Sequence, residues 1–240
     1  MRVIGSGAAP LTAEAREELK RRLPQIRVSE GYGLTETCGS DTSMRYDSIK
    51  PGTVGQPVPG CEIKVCSDSG AELPVGETGE ICIRSGSVML GYWNDPEQTK
   101  LAMRDGWLLT GDIGRMDAEG FVTIVDRKKD IIIRGGTNIS PMEIEEALVA
   151  CHPAVEEAAV VGKPDQVLGQ RVFAFVKLAS GARKGDAAEI LQSVAKRLAP
   201  YKVPEGLRVV NALPRNALSK VDRRALEAMA SDDKAGRSAA

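Results

Sequence analysis

Chemistry in this sequence has to be done almost without histidine. His152 is the one histidine in 240 residues, so a Ser–His–Asp arrangement or an imidazole general base has a single candidate. It follows a predicted helix and precedes Pro153, a place where histidine complements the negative end of the helix dipole. Lysines, arginines, carboxylates, hydroxyls and backbone amides remain, and they gather in five runs.

The run Gly31-Tyr32-Gly33-Leu34-Thr35-Glu36-Thr37 has two glycines that let the backbone turn tightly and approach a ligand. Its tyrosine offers a stacking face, and the Thr35 hydroxyl can donate to a phosphate oxygen. Glu36 would repel that phosphate unless a cation lay between them. Mg²⁺ meets the need, because it takes one or two carboxylates together with phosphate oxygens. The same run also reads as an ordinary strand-to-turn junction.

Thr110-Gly111-Asp112 supplies a carboxylate able to accept two ribose hydroxyls, or forms a plain turn. Asp126-Arg127-Lys128-Lys129-Asp130 reads as solvated surface charge or, because the composition changes across it, as a hinge. Arg134-Gly135-Gly136-Thr137-Asn138 is a loop, or a place where backbone passes close to a ligand. In residues 214–224, Lys220 stands between a loop and a helix. There it is a plain exposed lysine, or a point charge that meets a developing phosphate or carboxylate charge.

The elements that must position these runs change in rhythm near residues 126–130. Before that point, residues 2–4, 62–65, 80–83 and 121–125 read as short strands. Residues 12–23 read as a helix with Thr12 as N-cap and Pro24 as its stop. Repeated β segments joined by Gly/Pro turns predict a small barrel or a distorted sheet. After it, residues 131–133 predict a strand, Gly135-Gly136 a turn, and Ser140-Pro141-Met142-Glu143 a capped helix start. Ile144, Ala147, Leu148 and Cys151 then form its buried face. Strands at 157–161, 172–178 and 208–210 and helices from Asp186 and Asp222 complete an α+β or α/β domain. Residues 231–240 predict a frayed tail.

The chain is long enough for one large or two ordinary domains. Its 42% hydrophobic and 27% charged residues are those of a globular protein. A formal charge of −1 gives no general attraction to nucleic acid or anionic lipid. No apolar run approaches the roughly 18 residues of a membrane span, and the N-terminus does not read as a secretory signal. Cys38, Cys61, Cys66, Cys82 and Cys151 are odd in number and irregularly spaced, which predicts reduced thiols rather than disulfides or a zinc site. A cytoplasmic setting is expected.

Singly these runs are weak signals; in order they are a pattern. Together with Gly91-Tyr92-Trp93, Asp105-Gly106-Trp107 and Pro141-Met142-Glu143-Ile144-Glu145, the chain resembles the adenylate-forming superfamily, which includes acyl-CoA synthetases, luciferases and peptide-synthetase adenylation domains. The resemblance covers nearly the whole chain. It implies a mixed α/β fold: residues 1–126 as the C-terminal, β-rich and barrel-like part of a large AMP-binding domain, 127–130 as hinge, 131–230 as a small mobile α+β domain, and 231–240 as a disordered tail.

The resemblance also implies roles. Gly7, Ala8 and Ala9 would lie by the adenine and acyl pocket, Gly31, Tyr32 and Gly33 beside the nucleotide, with Tyr32 near the adenine. Thr35 would bind the α-phosphate, Glu36 the Mg²⁺, and Asp112 and Arg127 the ribose hydroxyls. Lys129 matches the hinge position. Lys220 matches the lysine that bridges acyl carboxylate and phosphate, and Gly135 and Gly136 match the loop lining the pantetheine channel of coenzyme A. The implied partners are a carboxylic acid, ATP and CoA.

One departure is large. The family carries a Ser/Thr/Gly-rich phosphate loop ending in lysine upstream of the Gly-Tyr-Gly run, and this sequence has none. Residue 1 is therefore expected to fall in mid-domain, with most of the acyl pocket elsewhere, and a missing N-terminal segment or a second copy is an expected partner. Many members also have glycine beside the lysine, where this chain has Leu218-Ser219. The leading expectation is an acyl-CoA synthetase. The alternatives are an adenylation domain serving a carrier protein and a non-catalytic AMP- or CoA-binding fragment.

Overall fold

A computed structural model of the chain describes residues 2–7, 11, 13–182, 187–217 and 219–232. The caps expected at Thr12 and Asp186, and residues 233–240 of the expected tail, lie outside that set. The chain forms two compact units, Met1–Lys128 and Lys129–Ala240.

The first unit opens with β1 (Val3–Ser6), α1 (Ala13–Arg22) and β2 (Arg27–Tyr32). The two strands run parallel, in register from Val3↔Arg27 to Ser6↔Glu30. Arg16 of α1 and Glu30 of β2 are both buried and ion-paired. Losing either partner would strand an uncompensated charge, so the pair fixes how the helix lies on its strand. β3 (Thr42–Ser43) and β4 (Gln56–Pro57) extend this sheet antiparallel, in the order β1-β2-β3-β4.

The second sheet of this unit is wholly antiparallel. It contains β5 (Cys61–Cys66), β6 (Gly79–Ser85), β7 (Met103–Arg104), β8 (Trp107–Met116) and β9 (Val122–Arg127). β8 pairs with β6 along one edge and with β7 and then β9 along the other. Register shifts between Glu80 and Cys82 and between Ile113 and Gly114 distort it, since a bulge bends and twists its strand. Of the two architectures expected, the distorted sheet is the better description. Ile63, Ile81, Ile83 and Val122 form its core.

Two sequence expectations need correction here. Thr110-Gly111-Asp112 is part of β8, not a turn. The Thr110 hydroxyl donates to the Ile81 carbonyl (2.8 Å), and Gly111 takes φ +70°, so turn-like residues are absorbed into a bulged strand. A short helix, α2 (Pro96–Ala102), was not expected. Asp95 caps it, accepting from the Gln98 amide at 3.0 Å, and Pro96 begins it.

The second unit is built on a strand buried on both faces. β12 (Val155–Asp165) and β13 (Gly169–Leu178) pair antiparallel. β14 (Gly206–Val210) lies parallel to β13, and β10 (Ile132–Arg134) with β11 (Thr137–Ile139) completes the sheet. Val172, Ala174 and Val176 of β13 face one core, with Ile144 and Leu148 of α3 (Pro141–Cys151) and Ile190 and Val194 of α4 (Ala187–Ala195). Phe173 and Phe175 point the other way, into a core with Leu226 and Ala230 of α5 (Arg223–Ser231). Alternation along a strand with both faces covered gives the unbroken run Val172-Phe173-Ala174-Phe175-Val176.

α3 starts as its sequence predicts: the Glu143 amide donates to the Ser140 hydroxyl at 3.3 Å, and Pro141 is the first helical residue. The Glu143 carboxylate is held by Lys202 Nζ at 2.6 Å. Asp222 caps α5 through the Ala225 amide (3.1 Å). α5 runs through Ser231, one residue into the expected tail. Among the described residues no helix is long and apolar enough to cross a membrane.

Leu148 is fully buried where α3 meets β12 and β13. Leu148→Ala is expected to lower the unfolding free energy of this unit by about 3 kcal/mol, through lost transfer energy and an unfilled cavity. Urea unfolding measures it; a loss below about 1 kcal/mol would contradict the packing.

Candidate functional site

In an open α/β arrangement, ligands bind beyond the carboxyl ends of parallel strands. Gly7 follows β1 there, and Gly31 and Tyr32 end β2. A Cβ on Gly7 would lie 3.4 Å from the Gly31 carbonyl oxygen, so the two segments run side by side. Ala8 and Ala9 lie outside the described residues.

The glycines of the Gly-Tyr-Gly run serve the chain's own backbone. A Cβ on Gly33 would meet the Gly39 carbonyl oxygen at 1.8 Å, and one on Gly31 would meet that of Thr42 at 3.0 Å. Close approach was expected of a ligand; at these two positions it is made by the returning segment 39–42.

Tyr32, Asp112 and Arg127 meet from three strands. The β8–β9 register sets Asp112 opposite Arg127, and Arg127 Nε lies 2.9 Å from Asp112 Oδ1. The Tyr32 hydroxyl donates to Asp112 Oδ2 at 2.6 Å. Asp112 is only 2% exposed, and a carboxylate that deep needs such partners. Burial, reinforced by the Asp112 charge, pushes the Tyr32 phenol well above its ordinary range, so it stays a donor. The half-buried Tyr32 ring packs against the Ile63, Ile81, Ile83 and Val122 cluster. Part of the surface expected to stack near a base is thereby used by the core.

Thr35, Glu36 and Thr37 form a single 3₁₀ turn after β2. The Thr37 hydroxyl accepts from the Leu34 amide (3.2 Å) and donates to Asp41 Oδ2 (2.5 Å). Asp41 is buried, and its own amide donates to the Tyr32 carbonyl at 2.8 Å. Burial raises the Asp41 carboxyl above its ordinary value, against the lowering effect of Thr37 and Leu34. With this support beneath the turn, Thr35 is exposed and Glu36 half-buried. Tyr92 donates its hydroxyl to Glu36 Oε1 at 2.9 Å, and the Met89 amide reaches the Glu36 carbonyl at 2.7 Å.

Tyr32, Thr35, Glu36, Asp112 and Arg127 thus belong to the first unit. Among its described residues no cluster of three or more His, Cys, Asp or Glu stands ready for a metal ion. Glu36 has no hydrogen-bond partner on its second carboxylate oxygen among the described residues, and one carboxylate is within what a Mg²⁺ that also takes phosphate oxygens would require of the protein. Asp41 and Tyr92 act on this turn, and no role was read for either in the sequence. Gly91-Tyr92-Trp93 was a visible motif; Asp41, in the polar run Gly39-Ser40-Asp41-Thr42, left no signal.

The second unit carries Lys220, Gly135 and Gly136. Lys220 sits on a loop closed by the Arg215↔Val221 bridge. Asn216 pins it twice, accepting the Lys220 amide on its side-chain oxygen (3.1 Å) and donating its own amide to the Lys220 carbonyl (2.8 Å). The Lys220 side chain is exposed, with no ion-pair partner among the described residues. Gly135 (φ +57°) and Gly136 (φ +82°) are the two central residues of the β10–β11 hairpin. Positive φ at both positions is what a twisted two-residue hairpin turn asks for. Lys129 is exposed and begins this unit.

Residues 1–93 match the family described as AMP-binding enzyme, and residues 143–220 the AMP-binding enzyme C-terminal domain. The chain is 44% identical over 223 residues to a long-chain-fatty-acid–CoA ligase of Bacillus subtilis, covering 92% of this chain and 39% of that protein. The crystal structure of ATP-bound MatB from Rhodopseudomonas palustris superposes with a TM-score of 0.88 at 39% identity, covering 96% of this chain and 46% of that one. O-succinylbenzoate coenzyme A synthetase of Bacillus subtilis, in complex with ATP and magnesium ion, gives a TM-score of 0.84 at 37% identity, covering 94% and 46%. The chain therefore spans less than half the length of these relatives.

Two expectations follow from the geometry. Tyr32→Phe removes a donor from a buried carboxylate and should cost about 1–3 kcal/mol in chemical unfolding; no loss would mean that Asp112 does not depend on the phenol. Asp41 holds its proton in the folded chain above the ordinary value of 3.8, so the folded state binds more protons than the unfolded. Its contribution to stability is intact below that value and is lost as pH rises through the raised one. Asp41→Asn should therefore gain on the parent chain between pH 3 and pH 7 in urea titrations. A difference independent of pH would overturn the assignment.

Proposed function

Because this chain belongs to the AMP-binding enzymes of the adenylate-forming superfamily, we propose that it works in an ATP-dependent acid–thiol ligase. Such an enzyme joins a carboxylic acid to coenzyme A through an acyl-adenylate. The observation that carries the reading is the convergence of Tyr32, Asp112 and Arg127 from β2, β8 and β9. A carboxylate positioned by a phenol and a guanidinium is the kind of acceptor that ribose hydroxyls call for, next to a turn that exposes Thr35.

In the first half-reaction the acid's carboxylate oxygen bonds to the α-phosphorus of ATP, and the bond to the β-phosphate oxygen breaks to release pyrophosphate. The carboxylate is already a nucleophile at neutral pH, so no histidine base is needed. Positioning and charge neutralisation are. Asp112 and Arg127 hold the ribose, Thr35 donates to the α-phosphate, and Lys220 spans carboxylate and phosphate. Mg²⁺, held through Glu36, neutralises phosphate charge when bound.

In the second half-reaction the thiol sulfur of CoA gives up its proton to solvent and bonds to the acyl carbon, and AMP leaves with the electron pair of the broken acyl–oxygen bond. Lys220 has to withdraw, and the Gly135-Gly136 turn has to line the thiol's path, which calls for rotation about Lys129. Gly7 borders the adenine end. Five free cysteines support a reducing, cytoplasmic setting.

Calorimetric titration with AMP tests the nucleotide site on the chain itself. Asp112→Ala should weaken binding by about tenfold or more, the loss of one charge-assisted hydrogen-bond partner. Pyrophosphate release with a panel of acids tests the reaction, with the chain alone and with the upstream half of a relative added. Lys220→Ala should slow adenylation by about 10²–10³-fold while sparing thioester formation from preformed acyl-AMP. Equal loss in both half-reactions would rule out the role given to Lys220.

A further inference from the structure

The junction between the units is anchored on both sides of one residue. On the first-unit side, Lys128 Nζ reaches Glu80 Oε2 at 2.9 Å and Asp68 Oδ1 at 2.8 Å, and the Lys128 amide donates to the Gly111 carbonyl at 2.8 Å. The other oxygen of Glu80, Oε1, accepts the Gly111 amide at 3.0 Å. Glu80 thus holds the last residue of the unit and the residue before Asp112 with one carboxylate. The Glu80 side chain is 11% exposed whereas that of Asp68 is 92% exposed, so the Glu80 arm is less screened by solvent.

On the second-unit side, Arg223 Nε lies 3.3 Å from Asp130 Oδ2. The same guanidinium donates to Glu145 Oε1 (2.8 Å) and the Val160 carbonyl (2.7 Å). Asp130 is thereby fastened to α5, α3 and β12 together. Lys129, between the two anchors, is exposed and has no ion-pair partner among the described residues.

We propose that Glu80 and Arg223 are positioning residues that clamp the two sides of the junction, leaving Lys129 as the residue about which the units turn. The inference rests on the rotation proposed above and adds what confines it. Without a clamp, a charged surface run would share rotation over several residues and blur the two orientations. With both clamps, φ and ψ change at one place, and the strand carrying Asp112 is tied to the fixed end.

Amine labelling of the full chain, without nucleotide or acid, reads the first clamp. Limited acetylation followed by mass spectrometry should modify Lys129 faster than Lys128. In Glu80→Gln, labelling of Lys128 should rise roughly fivefold, because the charge is lost, while an oxygen remains to accept the Gly111 amide. Other lysines should keep their rates. An unchanged Lys128 rate, or a rise at every lysine alike, overturns the proposal.

Hydrogen exchange reads the second clamp. Arg223→Lys keeps a cation beside Glu145 but loses the planar fork that also reaches Asp130 and the Val160 carbonyl, so exchange should quicken at residues 130–132 and around Val160 and not in β14. No change at 130–132 overturns it. Neither measurement depends on turnover or on AMP. Failure to bind AMP would count against the ligase reading and leave the clamps standing, and the reverse also holds.

Discussion

A carboxylate removed from water has to be met by donors, and in the first unit that requirement falls on Asp112. Its two oxygens are met from different directions, by a guanidinium on the adjacent strand and by a phenol from the other sheet. The pairing works only if β8 and β9 keep the register that sets Asp112 opposite Arg127, and only if β2 delivers Tyr32 to the same point. The two sheets thus meet at one buried carboxylate, alongside the backbone bonds that tie Val54 and Gly55 to Val122. The 3₁₀ turn that follows Tyr32, with its exposed threonine and half-buried glutamate, inherits its place from that relation.

The sequence made the second unit more legible than the first, for physical reasons. Its signals are local: a serine–proline helix start, a glycine pair between short strands, and a continuous apolar, β-branched and aromatic run at 172–176 that reads as a strand. The first unit is held by distant pairings. Thr110-Gly111-Asp112 looks like a turn because its residues are turn formers, and the partners that make it a strand lie near Ile81 and Arg127. α2 escaped notice because none of its residues is buried, so it leaves no apolar periodicity, and its Asp95-Pro96 start was the one cue.

Site residues divide the same way. Asp112 and Arg127 stand out through an ordered set of motifs, and the structure sets them side by side. Asp41 does not stand out: its work is done through Thr37 and the Leu34 amide, contacts that no spacing rule encodes. The Gly-Tyr-Gly run teaches a related lesson. Small residues announce that something comes close, but not what. At Gly31 and Gly33 the near neighbour is a carbonyl oxygen of the same chain. Two demands, one of folding and one of access, fall on adjacent positions and read alike in the sequence.

The loop that presents Lys220 has a further property. Ser219 sits at φ +60°, a left-handed conformation that costs an L-residue roughly 1–2 kcal/mol. Glycine would adopt it without strain but would admit many other backbone shapes as well. Serine accepts a small steric load and narrows the ensemble, while Asn216 ties the neighbouring amide and carbonyl. The ammonium group is therefore tethered to a backbone held at the residue itself, by the amide and the carbonyl of Lys220. Within its own unit, what remains of its search is the torsional freedom of four methylenes, and any longer excursion has to come from movement of the unit that carries the loop.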